Sequence, residues 1–227
     1  KKHRKSHRCL GQGVRVRDVS FLEQPDRPYV LGVSGASAQP LAERALQLLL
    51  QQERSVHLIM SRGAHEVWLA EQSIQVPVDP ELQERFWRSR LNVESGSLIC
   101  HRWGDQAATI ASGSVATRGM VIVPCSMGTV GRIAAGVASD LLERCADVHL
   151  KEGRPLVLAP REMPWSLIHL RNLTTLAEAG ARIAPPIPAW YSQPKNLSEM
   201  VDFLVVRLFD SLGEDLSPLN RWQGRQP

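Results

Sequence analysis

The segment Gly119-Met-Val-Ile-Val-Pro-Cys-Ser-Met-Gly-Thr129 is the most informative about the fold, because an apolar run ends there in small and hydroxyl-bearing residues. The run 119–124 predicts a strand buried on both faces, because none of its side chains is polar or charged. The segment 129–146 predicts a helix whose inward residues recur at helical spacing: Ile133, Val137, Leu141 and Leu142. A buried strand that leads directly into a helix is the building unit of parallel α/β sheets.

The same strand-to-helix pattern recurs on both sides of this stretch. Further strands are predicted at 29–34, 55–60, 155–159 and 182–184. Further helices are predicted from Ser37 onward and at 64–71, 166–179 and 197–212. Residues 72–100 are mixed in character and turn-rich, and they predict no long regular element. The alternation of strands and helices predicts a parallel sheet covered by helices on both faces.

Positive charge is concentrated at the start of the chain. Residues 1–17 contain seven Lys or Arg and no acidic residue. Removing those seven from the 27 basic residues leaves 20, against 23 acidic residues, so the rest of the chain carries about −3. The high pI therefore does not indicate a nucleic-acid-binding face. We expect a disordered basic extension at 1–28, a folded domain at 29–213 and a C-terminal tail at 214–227.

The composition also excludes several classes of protein. No apolar run reaches the roughly 18 to 20 residues that a membrane-spanning helix needs. The four cysteines and seven histidines show no metal-ligand spacing, so we expect no metal site. Unpaired thiols fit a reducing compartment, so we expect a cytoplasmic protein. Organellar targeting by the Arg-rich first residues is the alternative.

Small and hydroxyl-bearing residues follow three of the predicted strands. These turns are Ser34-Gly-Ala-Ser37, Ser61-Arg-Gly63 and Cys125-Ser-Met-Gly-Thr129. Ligands of open parallel sheets bind beyond the carboxyl ends of the strands, where these turns meet. Small residues let the backbone approach an anion, and helix N-termini supply free N–H groups, so the pattern predicts a phosphate site. Ser and Thr also serve as ordinary helix caps, and neither GxGxxG nor a P-loop is present.

Charged candidates complete the sequence-level site. Arg161 directly follows a predicted buried strand, where a charge needs a partner such as an anionic ligand. Glu162 is either a general acid or base or the ion-pair partner of Arg161. Glu71, taken alone, has the pattern of a surface helix residue. Three further basic residues lie at predicted element ends: Arg144, Lys151 and Arg207.

Several long segments carry a family resemblance. They are Ser-Gly-Ser-Val-Ala-Thr-Arg-Gly-Met-Val-Ile-Val-Pro-Cys-Ser at 112–126, Glu-Arg-Cys-Ala-Asp-Val-His-Leu-Lys-Glu at 143–152, and Leu-Val-Leu-Ala-Pro-Arg-Glu-Met-Pro-Trp-Ser-Leu-Ile-His-Leu at 156–170. Residues 185–194 and 201–207 follow in the same order. From about residue 29 to 222, the chain resembles the UbiX family of flavin prenyltransferases. The PRE-x-P-x-S-x-IHL pattern within 160–170 is highly specific.

The resemblance implies a Rossmann-like or flavodoxin-like three-layer α/β sandwich with a mostly parallel sheet. It implies a homododecamer with the flavin at a subunit interface, and a flavin prenyltransferase domain at 29–213. The implied reaction transfers a dimethylallyl group from dimethylallyl phosphate to N5 and then C6 of reduced FMN, without a metal. The prenylated FMN would serve a UbiD-type decarboxylase, for example in ubiquinone biosynthesis.

The resemblance also implies roles for individual residues. The implied FMN-binding residues are Gly35, Ala36, Ser37, Ser61, Ser126, Met127, Gly128, Thr129 and Arg161. The implied contacts of the dimethylallyl phosphate are Arg144, Lys151, Tyr191, Arg207 and Trp222. The implied catalytic residues are Ser37, Glu71 and Glu162. Ser37 and Glu162 would relay protons, Trp222 in the tail would help to enclose the prenyl group, and the basic side chains would stabilise the departing phosphate.

Several positions depart from the family pattern, among them Leu41 in place of a tyrosine and Ser139-Asp140 in place of Asp-Asn, and two rival functions are considered. Ala38 replaces a glycine, which requires a negative φ at that position, and Gly128 stands where many relatives have Lys. The main rival is an FMN-dependent decarboxylase of cysteine-containing peptides or of phosphopantothenoylcysteine. That class has a His before the third strand, an Asn at position 128 and a PxMNxxMW segment, and the sequence has none of them. A flavin carrier without catalysis is the other rival.

Overall fold

A computed structural model describes residues 27–216 of the chain. The elements, in chain order, are β1 (Tyr29–Val33), α1 (Gln39–Gln51), β2 (Ser55–Met60), α2 (Arg62–Gln72), α3 (Pro80–Leu91), β3 (Ser97–His101), β4 (Gly119–Cys125), α4 (Met127–Ala134), α5 (Leu141–Lys151), β5 (Leu156–Pro160), α6 (Leu167–Glu178), β6 (Arg182–Ile183) and α7 (Leu197–Leu212). All but two residues of the predicted basic extension, and residues 217–227 of the predicted tail, lie outside the described part.

The strands form one six-stranded sheet in the order β3-β2-β1-β4-β5-β6. Every neighbouring pair is parallel. The chain builds outward from β1 to β3 and then returns to place β4 on the other side of β1. The loops after β1 and β4 therefore leave the sheet in opposite directions, which opens a crevice between them at the carboxyl edge.

Helices cover both faces of the sheet, so the predicted three-layer α/β sandwich is confirmed. One core joins α1, α2, α3 and α7 to strand residues such as Leu31 and Val121. The other core joins α4, α5 and α6 to the alternating residues of the same strands, such as Val30 and Met120. Strands buried on both faces explain why these segments have continuous apolar sequences.

The predicted helix 129–146 is wrong, because two helices occupy that part of the chain. Helix α4 ends at Ala134, and Gly136 then takes a left-handed backbone conformation with φ 69°. Asp140 starts α5 by accepting a hydrogen bond from the amide of Glu143. The break turns Val137 outward, leaving it 46% exposed rather than buried as predicted. Glycine tolerates the left-handed turn that separates the two helices.

The interval 72–100, which predicted no regular element, contains α3 and β3. Asp79 caps α3 through the amides of Glu81 and Leu82, and Pro80 occupies the first turn. This Asp-Pro pair is a helix-start signal that the interpretation overlooked. The polar character of α3 explains the error, since only three of its residues are buried: Gln83, Trp87 and Leu91.

Candidate active site

A buried serine ties together the strand ends at the switch point of the sheet. Ser34 Oγ donates to Pro124 O at 2.9 Å and accepts from Ser126 N at 2.7 Å. The amide of Arg161 donates to Cys125 O at 3.0 Å, which adds the end of β5. The turns after β1, β4 and β5 therefore form one hydrogen-bonded edge, as their predicted location required. This role of Ser34 was not predictable from local sequence, because its partners lie about 90 residues away.

The loop after β1 is fixed by a second buried polar side chain. Gln39 Nε2 donates to Ser34 O at 3.0 Å and Ala36 O at 2.8 Å. Its Oε1 is buried and has no hydrogen-bond partner among residues 27–216. Ala38 adopts φ 85°, so the expectation of a negative φ is wrong. The two Gln39 bonds fold the loop back on itself and hold Ala38 in the left-handed region.

The loops after β1 and β2 touch through glycine. A Cβ on Gly35 would stand 2.9 Å from both the carbonyl carbon and the Cα of Gly63. Such a distance is shorter than real Cβ contacts, so position 35 has no room for a side chain unless one of the two segments moves. Gly35 and Ser61 are thus brought to the same edge as Ser126. Ser37 belongs to the same loop as Gly35, between β1 and α1.

Two helices begin at this edge with the capping that the sequence predicted. Ser61 accepts from the amide of Ala64 at 3.2 Å, and Ser126 accepts from the amide of Thr129 at 3.3 Å. The first N–H groups of each helix precede its first intrahelical hydrogen bond. In α4 these include the amides of Met127 and Gly128. The edge therefore presents N–H donors and positive helix dipole ends, as an anion site requires.

An ion pair behind the α4 turn was not predicted. Arg132 Nε donates to the carboxylate of Glu143, which is 1% exposed. Arg132 Nη2 lies 3.4 Å from Thr129 Oγ1, so its guanidinium extends toward the start of α4. The helix break at 135–140 lies between these two residues, and no single periodic pattern contains both.

Cys125 directly precedes this turn, but its thiol is unsuited to nucleophilic chemistry. The side chain is fully buried, and burial raises the pKa of the thiol to about 12. A thiol with such a pKa stays protonated at neutral pH and is inert. Cys125 therefore contributes packing to the end of β4.

Arg161 and Glu162 leave β5 at the same edge, but their environment differs from the prediction. Both side chains are exposed, so Arg161 has no burial cost that demands a partner. Within the described part of the chain, they form no ion pair with each other. Glu162 Oε1 instead accepts from the amide of Met163 at 3.0 Å. The Arg161 guanidinium is therefore available to a ligand.

Arg144 and Lys151 lie along a different surface of the protomer. Arg144 Nε donates to Ala111 O at 3.1 Å, and the Lys151 ammonium lies beside Gly113. The prediction that Arg144 ends an element is wrong, because α5 continues to Lys151. Segment 111–113 leads toward the start of β4, so Lys151 is close to the amino edge of the sheet.

Tyr191 and Arg207 lie at a third place, in a cavity of about 300 Å³ between α7 and the segment after β6. Arg207 lies within α7 rather than at its end as predicted, and it pairs with Asp210 at 2.8 Å. Glu71 is exposed near the end of α2. Trp222 lies outside the described residues. The predicted flavin-binding turns thus meet at the carboxyl edge, Lys151 lies near the amino edge, and Tyr191 and Arg207 line a cavity beside α7 that begins where β6 ends.

Comparisons with known proteins agree with this architecture. Residues 21–208 match the Flavoprotein family. A flavin prenyltransferase UbiX from Synechocystis sp. is 58% identical over 199 residues, which are 87% of this chain and 97% of the relative. The chain belongs to the UbiX family of flavin prenyltransferases. The sequence-based family assignment is therefore confirmed.

Two solved structures of UbiX-type proteins share the fold. A crystal structure of AnUbiX in complex with FMN and dimethylallyl pyrophosphate is 36% identical with a TM-score of 0.77, covering 88% of this chain and 99% of that chain. A dodecameric FMN-dependent Ubix-like decarboxylase from Escherichia coli O157:H7 is 39% identical with a TM-score of 0.75, covering 87% and 100%. The cysteine decarboxylases TvaF and SpaF are each 15% identical, so they share the fold alone.

Residues 27–216 contain neither a candidate membrane-spanning helix nor a cluster of metal-ligating side chains. No described helix combines the length and the apolar character needed to cross a membrane. Within the same residues, His, Cys, Asp and Glu form no group of three that is arranged to hold a metal ion.

Proposed function

We propose that this chain is a flavin prenyltransferase that transfers a dimethylallyl group from dimethylallyl phosphate to reduced FMN. In the overall reaction, one prenyl carbon bonds to N5 as its bond to phosphate breaks, and the far prenyl carbon then bonds to C6. The product is prenylated FMN, which would supply a UbiD-type decarboxylase. The observation that carries the proposal is the anion-binding carboxyl edge in a chain of the UbiX family.

The carboxyl edge fits a flavin mononucleotide. The α2 and α4 N-termini offer N–H donors to its phosphate, and Ser61, Ser126 and Thr129 add hydroxyl groups. Where Gly35 meets Gly63, the two backbones lie too close together for a side chain at position 35. Ala36, Ser37 and Arg161 complete the proposed flavin-binding set. When bound, reduced FMN supplies the nucleophilic N5 and C6 atoms, and the residues of this chain hold and orient it.

The second phosphate is proposed to bind basic residues from a neighbouring protomer. Tyr191 and Arg207 line the cavity beside α7, while Arg144 and Lys151 follow the surface of α5. Cations placed where the phosphate departs stabilise the charge that develops there. Because Lys151 lies near the opposite edge of the same sheet, these groups reach the flavin only if another protomer supplies some of them.

Exposed apolar side chains support an assembly of this kind. Met163, Ile168 and Trp190 are 88%, 68% and 78% exposed, and they follow β5 and β6. Large apolar side chains that cluster on a surface mark sites of association. We propose that copies of the chain cover them and that the assembly is a homododecamer, as in the similar Escherichia coli protein.

Glu162 is proposed to move the protons of the reaction, together with Ser37. Its carboxylate is exposed at the carboxyl edge and, among residues 27–216, accepts a hydrogen bond only from the neighbouring amide of Met163, so it can meet a ligand. General acid–base groups typically contribute about 10²- to 10⁴-fold to a rate. Glu71 is proposed to act in the same site through a subunit contact, since it is exposed on α2.

The test is anaerobic incubation with reduced FMN and dimethylallyl phosphate, followed by mass spectrometry of the flavin. We expect a product heavier than FMN by one C5H8 unit. Glu162→Gln should still bind FMN, but its rate of product formation should fall by about 100-fold or more. Glu178→Gln, which changes an equally exposed carboxylate at the end of α6, should keep the wild-type rate within about twofold. Full turnover by Glu162→Gln would contradict its proton-transfer role.

The two rival functions give different products in the same experiment. A flavin carrier returns FMN unchanged, whereas a cysteine decarboxylase converts a cysteinyl peptide into an oxidised, decarboxylated thioenol. The cysteine decarboxylases are each 15% identical to this chain, and so low an identity supports neither of the two rival functions.

A cytoplasmic location is also proposed, because the buried thiols Cys100, Cys125 and Cys145 are unpaired, as in reducing compartments.

A further inference from the structure

A buried carboxylate holds an arginine at the turn proposed to bind the flavin phosphate. Glu143 accepts hydrogen bonds from Ser139 N at 2.8 Å, from Ser139 Oγ at 2.5 Å and from Arg132 Nε. At 1% exposure, this carboxylate would be costly to bury without hydrogen-bond donors such as these. The bond at Nε fixes the guanidinium plane from behind, so Arg132 is a preorganised cation rather than a mobile surface charge.

The other nitrogen atoms of this guanidinium point to the turn. Arg132 Nη2 reaches Thr129 Oγ1, and Nη1 lies 3.3 Å from where a Cβ on Gly128 would stand. No acceptor for Nη1 occurs in the part of the chain that the structure describes. The side chain is 46% exposed, so these donors also face solvent. Glu143 therefore accepts from one of the five N–H donors of Arg132, and most of the other four remain for a ligand.

The charge balance at this place favours an anion. The start of α4 already carries the positive end of a helix dipole, so a cation brought toward it is unfavourable without a compensating negative group. Glu143 offsets the guanidinium charge from behind the turn, but it does not contact the free amides of α4. A phosphate monoester, with a charge of nearly −2 at neutral pH, would satisfy both the amides and Nη1.

We propose that Arg132 binds the flavin phosphate and that Glu143 positions Arg132, so that the turn selects FMN over flavins without phosphate. The inference rests on the proposed function and extends it to two residues outside the set predicted from the sequence. Gly128 has a defined part in it, because a side chain at 128 would compete with Nη1 for the same space.

The test compares the affinities of the wild type and Arg132→Ala for FMN and for riboflavin, measured by titration calorimetry. A lost charge-assisted hydrogen bond should weaken FMN binding by roughly 10- to 100-fold, while riboflavin binding changes less than about twofold. Glu143→Gln should give a smaller loss that is also specific to FMN, because Arg132 is retained but no longer held. Equal losses for both flavins, or unchanged FMN affinity in Arg132→Ala, would overturn the proposal.

Moving the positive charge from position 132 to position 128 distinguishes an electrostatic effect on FMN binding from a packing effect. In the Arg132→Ala background, Gly128→Lys should restore much of the preference for FMN, because its ammonium group places a positive charge near the position that Nη1 occupied. Gly128→Met adds a neutral side chain of similar length and is the matched control. If the Met variant restores the preference as well as the Lys variant does, packing is responsible and the proposal fails.

The outcomes also separate this inference from the proposed function. A wild-type protein that binds neither flavin would contradict the proposed function itself. A wild type that prefers FMN, with Arg132→Ala keeping the same preference, would contradict only the role of Arg132. Thermal unfolding followed by circular dichroism should show that each variant used for titration is folded.

Discussion

At the residue scale, a buried amide and a strained alanine shape the loop after β1. Gln39 donates two hydrogen bonds to carbonyl groups of this loop, and Ala38 accepts a left-handed conformation as a result. That conformation costs a non-glycine residue about 1–2 kcal/mol. The loop is therefore held against its own preference, which is typical of segments that must present a fixed backbone to a ligand.

Ala38→Gly should stabilise the protein by about 0.5–1 kcal/mol, because glycine adopts φ 85° without the steric penalty of a Cβ. The gain is partly offset by the greater freedom of glycine in the unfolded chain. Urea unfolding monitored by fluorescence measures the difference. Ala42→Gly, a buried site in the regular part of α1, is the matched control and should lose about 1 kcal/mol. A loss of stability in Ala38→Gly would contradict the strain.

Some residues of the carboxyl edge were predictable from neighbouring sequence, whereas the roles of others depend on contacts that form only in the folded sheet. Ser61 and Ser126 were predictable, because a hydroxyl residue directly before a helix is a local capping pattern. Ser34 was not singled out, because its role depends on a strand that lies adjacent only in the folded sheet. The left-handed Ala38 was also missed, since the amide of Gln39 that holds it has no sequence signature.

At the element scale, glycine sets how closely the loop after β1 approaches the start of α2. Gly35 lies so close to the backbone of Gly63 that a Cβ would require one of the two segments to move. The loop after β1 and the N–H-rich start of α2 are thus spaced by backbone contact. This spacing requires that residue 35 has no Cβ methyl group.

Gly35→Ala should destabilise the protein by about 1–3 kcal/mol, because the added Cβ meets backbone atoms that move only together with β1 or α2. It should also weaken FMN binding, since the two loops would separate. Chemical denaturation and flavin titration measure the two effects. Gly104→Ala is the control, because a Cβ there would meet nothing within 4 Å, and both quantities should stay at wild-type values. Wild-type behaviour of Gly35→Ala would refute the close contact.

Element boundaries were predictable where strands were apolar and caps were standard, as for β4 and α6. The prediction failed for 129–146, because Gly136 and Asp140 end one helix and start another within an otherwise continuous helical pattern. It failed for α3 because a largely exposed helix shows little apolar periodicity. Both failures arise from signals of one or two residues that a longer periodic pattern obscured.

At the scale of the whole molecule, the proposed active-site residues of one protomer are distributed over several parts of the sheet and its helices. The flavin-binding turns meet at the carboxyl edge, whereas Tyr191 and Arg207 line a cavity beside α7 and Lys151 lies near the amino edge. Sequence order could not reveal this separation, because it depends on the sheet topology. The exposed side chains of Met163 and Trp190 indicate where other protomers would pack.

We propose that the carboxyl edge holds the flavin phosphate while basic residues of a neighbouring protomer hold the departing phosphate. The decisive experiment is a crystal structure of the assembled protein with FMN and dimethylallyl phosphate. We predict the flavin phosphate at the N-termini of α2 and α4, the second phosphate beside Tyr191 and Arg207, and the reacting prenyl carbon about 3–3.5 Å from N5. An empty carboxyl edge, or ligands too far apart for that carbon to reach N5, would contradict the account.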